Sequence, residues 1–339
     1  MSTRRGFITA GTWCVDRNKL IDFWPEEDGI CHILSEERRN GGSGSNLAID
    51  MKRLDPAMPV ETIGIIGDDD DGRLLLAEAD AAGVDRSRMV IRGDAPTHYT
   101  ECFGSQRTGR RTHMTSQGVA ALLAPEHFDF STSNARIAHL GLPGEHHGMD
   151  SPSGGEANGW VVALKQARAV GMLTNLELVS IAPERVAELV RPCLPHLDLL
   201  IVNDHEIGAV AGIGTLTKAG TEIPACLEAA KRVLAQGAMQ LVVVHFPAGG
   251  FVLTRSGEVI RKPSCKVPGS EIVGANGAGD AFAAGFLYGF HEGWPLEESL
   301  GLAHAAAGAS LRAISTCGAV ESWQRCVELA RAWGDRAAF

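Results

Sequence analysis

Two kinds of segment alternate along this chain. Short apolar runs end at a glycine or a polar residue, and longer stretches carry an apolar residue every three or four positions. The first kind reads as buried strands and the second as helices. Phe7 to Gly11 is a first strand and Val60 to Gly67 a second, followed by an amphipathic helix from Arg73 to about Ala82. From residue 137 the alternation becomes regular. Strands are expected at 137–141, 171–176, 197–202, 240–244 and 251–254, with helices at 160–170, 184–190 and 226–236 among them. This rhythm predicts an α/β fold: a mostly parallel sheet in three layers, covered by helices. Right-handed crossovers place the strand ends on one edge, so Asp16, Asn203, Gly250 and Gly279 are expected to converge there.

Two regions break the rhythm. Residues 17–37 are mixed, with Trp24-Pro25 and charged runs, and residues 97–115 alternate in short steps. The first predicts a peripheral hairpin or lid strand and the second two short strands around a turn, both within one domain spanning 1–339. Arg107, Arg110 and Arg111 either face an anionic substrate or are simply exposed, the commoner outcome.

Composition narrows the function. The chain has 339 residues, 45% hydrophobic and 21% charged, which is ordinary for a soluble globular protein. A formal charge of -10 argues against nucleic acid or an anionic membrane as the main partner. No apolar run reaches membrane-span length, and the N-terminus lacks a charged-then-apolar leader. Eight scattered cysteines without a C-x-x-C pair fit reduced thiols. Together these predict a cytoplasmic protein with small-molecule partners.

The stretch with the most chemistry is Gly274-Ala275-Asn276-Gly277-Ala278-Gly279-Asp280, which runs into the apolar helix Ala281 to Phe290. Backbone N–H groups of Gly277, Ala278 and Gly279 at a helix N-terminus suit a phosphate. Asp280 beside them suits proton abstraction from a hydroxyl. The bland alternative is a glycine turn with an Asp cap. Gly41, Gly42 and Gly44 precede a helix expected to open near Leu47, and Asn46 offers a donor and an acceptor to a polyol. A flexible linker is the alternative there. Asp16, past the first strand, is either a ligand contact or a turn former. Asn203 and Glu206 either organise magnesium and its water or form a capping box. The run Asp68–Asp71 reads as a helix cap, and His146, His147 and Asp150 lack the His-x-x-x-His spacing of a metal site.

Taken in order, these stretches resemble the ribokinase-like (PfkB) family of carbohydrate kinases over nearly the whole chain. Gly41-Gly42-x-Gly44-x-Asn46 is similar to the family's first signature, and Gly64-x-x-Gly67-Asp68-Asp69-x-x-Gly72 to its early strand-loop. Asn203-x-x-Glu206 matches N-x-x-E, and Gly277-Ala278-Gly279-Asp280 matches G-A-G-D. The resemblance implies ATP- and Mg2+-dependent phosphorylation of a sugar-like alcohol. Asp280 would then be the general base and Gly277–Gly279 the anion hole. Asp16, Gly41, Gly42 and Asn46 would bind substrate. Asn203, Gly250 and His304 would lie on the nucleotide side, with Glu206 toward the metal. Residues 17–37 and 97–115 would form the family's small β lid, which would close over substrate and pair two copies into a homodimer.

Three departures qualify that picture. Gly274-Ala275-Asn276 stands where the family usually has D-T-x, which predicts a weak response to potassium. Pro247 stands near a usual glycine, and Gly118-Val119-Ala120 differs from the common Gly-Ala-Asn. No Gly-Lys pair, dinucleotide fingerprint or G-x-S-x-G elbow occurs, which sets aside P-loop kinases, NAD enzymes and serine hydrolases. Two alternatives stay open. One is a nucleoside kinase with a base slot from Phe23, Trp24 and Phe103, and the other is a catalytically silent sugar- or nucleotide-binding regulator.

Overall fold

The computed structural model describes residues 4–108 and 110–339; Gly109, in the expected lid turn, and Met1 to Thr3 lie outside the described residues. The strands in chain order are β1 (Phe7–Gly11), β2 (Cys14–Ile21), β3 (Ile33–Gly41), β4 (Val60–Gly67), β5 (Asp85–Arg92), β6 (Tyr99–Ser105), β7 (Arg111–Ser116), β8 (Ile137–Gly141), β9 (Leu173–Leu176), β10 (Leu199–Asn203), β11 (Leu216–Thr217), β12 (Gly220–Thr221), β13 (Leu241–Phe246), β14 (Gly249–Thr254) and β15 (Val259–Pro263). The helices are α1 (Ser43–Leu54), α2 (Asp70–Ala82), α3 (His147–Asp150), α4 (Gly159–Ala169), α5 (Pro183–Val190), α6 (Asp204–Ala211), α7 (Ile223–Gln236), α8 (Ala278–His291), α9 (Leu296–Ser310) and α10 (Trp323–Trp333).

Nine strands form one sheet in the order β15-β14-β13-β10-β9-β8-β1-β4-β5. Every pairing from β13 to β5 is parallel, while β14 and β15 join one edge antiparallel. The central strands are apolar on both faces, as a sheet covered on both sides requires. Leu200, Val202, Val242 and Val244 pack on one face with Trp160, Leu164, Val186 and Val233 from α4, α5 and α7. Their strand neighbours Leu199, Ile201, Leu241 and Val243 pack on the other with Leu47, Met51, Phe282 and Leu302 from α1, α8 and α9. The α8–α9 hairpin is close because Gly285 carries no side chain: a Cβ there would stand 2.7 Å from Leu302 O.

Four strands form a second sheet, β3-β2-β6-β7, from the two segments expected as the lid. The segments run wider than expected, from Cys14 to Gly41 and from Tyr99 to Ser116. β2 leaves β1 after a two-residue link, so this sheet stands over the carboxyl end of the large one.

Three differences from the sequence reading have physical causes. β5 and β15 lie at the sheet edges and mix charged residues with half-buried or exposed apolar ones, which weakens an apolar-run signal. α1 opens at Ser43, not near Leu47, because its first turn buries Ser43, Gly44, Ser45 and Asn46, small polar residues with no apolar periodicity. α2 opens at Asp70, and Asp69 caps it by accepting from Gly72 N at 2.8 Å. The aspartate run is thus a helix cap. No helix among the described residues is long and apolar enough to cross a membrane. All eight cysteines are free.

Candidate active site

Gly277 adopts a left-handed φ of 74° and forms the N-cap of α8. A Cβ there would stand 2.4 Å from Thr316 O, so both the turn and the close approach require glycine. The first helical bond runs from Ala281 N to Gly277 O at 2.9 Å. The N–H groups of Ala278, Gly279 and Asp280 precede it and have no intrahelical acceptor. Asp280 is therefore the third helical residue, not the cap. The turn stands between two cavities: Gly279 and Ala278 line one, and Asp280 lines the other.

The cavity holding Asp280 measures about 370 Å3, and Asp16, Gly42, Asn46 and Glu177 also line it. Asn46 reaches it from the first turn of α1. Its carbonyl oxygen accepts from Thr316 Oγ1 at 2.9 Å and Asn40 Nδ2 at 3.1 Å, and its amide nitrogen donates to Asp280 Oδ2 at 3.0 Å. The saturated carbonyl fixes which way the amide points. Asp16 sits on β2, buried, with Cys14 Sγ 3.7 Å from its Oδ1. It is a strand residue, not a turn former. Gly41 does not line the cavity. It seats Asp16 instead, since a Cβ there would stand 2.4 Å from the Asp16 carboxyl.

The carboxyl groups here are crowded without a cation. Burial, and then the Asp280 charge, push the Asp16 pKa up to about 7. Burial also raises Glu177 to about 7, and Glu206 and Asp50 add to it. Asp280 is raised well above the ordinary carboxylate range, by burial and then by Glu177. Behind them stands His139, fully buried, its pKa pushed down to about 4. Asn175 Nδ2 lies 2.9 Å from its Nδ1, which leaves Nε2 as the N–H that donates to Glu177 Oε2 at 2.6 Å.

The second cavity, about 500 Å3, is lined by Asn203, His245, Pro247, Ala278, Gly279 and His304, among others. His245 and His304 flank Phe282, with ring centroids 4.6 and 5.1 Å away. Burial holds both imidazoles neutral, at about 4 and 3. His304 Nε2 is buried without a partner. Asn203 and Glu206 form a reciprocal capping box, Glu206 N to Asn203 Oδ1 at 2.8 Å and Asn203 N to Glu206 Oε2 at 3.0 Å. The helix-cap alternative is therefore realised; Asn203 lines this cavity, while Glu206 is buried outside its lining. Gly250 lies in β14 paired with His245, outside the cavity lining, and a Cβ there would stand 2.9 Å from Val244 O and 3.4 Å from His304 Nε2, so the strand backbone is what requires a glycine.

Other expectations resolve as follows. Phe23 lies under the Arg107 guanidinium at 4.3 Å and Trp24 edges against Phe103 at 5.7 Å. None of the three aromatics lines the Asp280 cavity, although Phe103 lines the one adjoining it. Arg111 donates to Asn276 Oδ1 at 3.3 Å, and no arginine lines that cavity among the described residues. His146 is no metal ligand: its Nδ1 donates to Ala120 O at 2.8 Å and its Nε2 accepts from Thr12 Oγ1 at 2.7 Å. Among the described residues no group of three or more His, Cys, Asp or Glu is placed to hold a metal directly. Glu177 and His139 were missed. Glu177 follows strand β9 directly, so the strand-end rule that singled out Asn203 applies to it equally.

A structure of Arabidopsis thaliana ribokinase complexed with ribose and ATP superposes with a TM-score of 0.77 at 21% identity, covering 97% of this chain and 99% of that one, which shows the fold. A Saccharomyces cerevisiae adenosine kinase is 27% identical over 279 residues, 81% of this chain and 78% of the relative. An ATP-dependent ribose-1-phosphate kinase of Halopiger xanaduensis is 27% identical over 304 residues, 88% and 89% of the two chains. The pfkB family carbohydrate kinase profile matches residues 13–323. The chain belongs to the pfkB carbohydrate kinase family and is a phosphotransferase with an alcohol group as acceptor.

Proposed function

We propose that the chain phosphorylates a hydroxyl of a sugar or sugar derivative, with the acceptor in the Asp280 cavity and the nucleotide in the neighbouring one. The observation that carries this is the position of the Gly277–Asp280 turn, with Ala278 and Gly279 facing one cavity and Asp280 the other. ATP with magnesium supplies the γ-phosphoryl group. Asp280 takes the proton of the acceptor hydroxyl as its oxygen bonds to the γ-phosphorus and ADP leaves. Asn46 holds one oxygen of that carboxylate, and Glu177 is its other hydrogen-bond neighbour. The N–H groups of Ala278, Gly279 and Asp280 stabilise the charge of the transferring group. Asp16 and Gly42 contact the acceptor.

The nucleotide fits on this structure's own features. The orphaned His304 Nε2 and the Phe282–His304 pair suit a heterocyclic base, and the free helix end suits phosphates. Magnesium fits an all-oxygen environment of crowded carboxyls. With no direct ligand trio among the described residues, it would keep its waters, one of them held by Glu206. Gly274 leaves no room for a larger residue, since a Cβ there would stand 2.7 Å from Ala313 O, and this supports weak potassium activation. Closure of the small sheet excludes water. Its exposed Ile33, Leu34 and Met114 suit pairing of two copies.

The test is ADP formation with ATP and magnesium across free sugars, amino sugars, sugar phosphates and nucleosides. One clear acceptor is expected. ATP binding with no acceptor in any class would contradict the reading.

A further inference from the structure

Three buried polar atoms on the walls of the Asp280 cavity have no hydrogen-bond partner: Ser43 Oγ, His98 Nδ1 and Glu145 Oε2. Ser43 and His98 are 1% and 2% exposed, so neither residue can turn to solvent for one. Buried groups left in this state are costly and uncommon, and a ligand with matching groups relieves the cost. None of the three belongs to the machinery assigned above. They come from three separate elements: the start of α1, the segment before β6, and the loop after β8.

The charge around them is one-sided. Four carboxyl residues line the cavity, Asp16, Glu145, Glu177 and Asp280, and among the described residues no lysine or arginine does. The histidines give no positive charge either, since burial pushes His98 to about 3 and holds His113 below its usual value. Lys19 and Arg111 line an adjoining cavity, and both are engaged, Lys19 by Glu101 and Arg111 by Asn276. A phosphate or carboxylate on the acceptor would enter a field of like charge with no cation to receive it.

We infer that the acceptor is a polyol free of phosphate and carboxylate groups, with a hydroxyl or ammonium donor held by Glu145 and further hydroxyls held by Ser43 and His98. This rests on the Asp280 cavity being the acceptor site. Glu145 is then a specificity residue: its carboxylate rewards a donor and rejects an anion. Ammonium and hydroxyl donors share that chemistry, and the test separates them.

The test is binding to the intact protein with ADP and magnesium present, by calorimetry and thermal shift. The probes are ribose, fructose, glucosamine and adenosine, set against ribose 5-phosphate, fructose 6-phosphate, gluconate and glucuronate. At least one uncharged or amine-bearing probe is expected to bind, at least tenfold tighter than any anionic counterpart. Glu145→Gln should weaken that ligand about tenfold while ADP affinity stays unchanged. An ammonium donor would show as a preference for glucosamine that Glu145→Gln removes. Should Glu145→Gln fail to bind ADP, His98→Gln serves in its place with the same expectation. Tighter binding of an anionic probe, binding by none of the uncharged or amine-bearing probes, or retention within twofold in the variant would overturn the inference. Failure of the parent to bind ADP would instead strike at the kinase reading itself.

Discussion

Asn46 Nδ2 donates to Asp280 Oδ2 across 3.0 Å, although 234 positions separate the two residues in the chain. This bond joins the first turn of α1 to the first turn of α8 at the Asp280 cavity, and Asn46 thereby helps to hold the Asp280 carboxyl in place.

Asn46→Ala should lower kcat/KM about 10–100-fold, the loss expected for a hydrogen bond to a buried charge. Asn46→Asp should fall further, because it adds a carboxylate to a cluster already short of cations. Steady-state kinetics on both variants checks the order. A more active Asn46→Asp would mean that Asn46 does not act by donating to Asp280.

Glu177 carries a pH signature. Its folded pKa of about 7 exceeds the ordinary 4.5, so the folded state holds its proton more tightly. The stability this gives is complete below about 4.5 and is lost as pH rises through 7. Glu177→Gln removes the loss. Relative to the parent, the variant should gain on the order of 1–3 kcal/mol between pH 5 and pH 8, read from denaturant unfolding at both. An equal difference at the two pH values would contradict the assignment. Because Asp280 is raised as well, kcat/KM should decline with falling pH sooner than an ordinary carboxylate would allow.

Much of this was legible beforehand, for identifiable reasons. Glycines that admit no Cβ, such as Gly277, and polar residues at strand ends, such as Asn203, follow from local rules and mark the turn and the edge. The parallel order could be read because central strands such as β13 are apolar on both faces. What escaped was either weakly patterned or non-local. β5 and β15 lack an apolar run, and α1 starts among small polar residues. The need for Gly250 comes from Val244 O on the neighbouring strand, and the pairing of His139 with Glu177 spans two adjacent strands. No spacing rule along one segment reports such contacts.

His304→Ala should raise KM for ATP about tenfold while KM for the acceptor stays within twofold, since His304 lines the cavity proposed for the nucleotide and not the Asp280 cavity. Gly250→Ala should reproduce part of that effect by pushing on Val244 O, in the strand that carries His245. Initial rates at varied ATP and varied acceptor separate the two constants. A change in the acceptor constant alone would reverse the assignment of the cavities.

Potassium should alter the rate less than twofold, since Gly274 offers no carboxylate and packs against Ala313. Rates at constant ionic strength in potassium and in tetramethylammonium chloride provide the comparison. Activation above tenfold would place a cation site elsewhere.

The most direct measurement is Asp280→Asn, assayed for phosphoryl transfer to the identified acceptor and, in parallel, for ATP binding by calorimetry. The account predicts a fall in kcat of about 10²–10⁴, the usual worth of a general base, with ATP affinity within a few-fold of the parent. Turnover within a few-fold of the parent would contradict the central claim that Asp280 takes the proton.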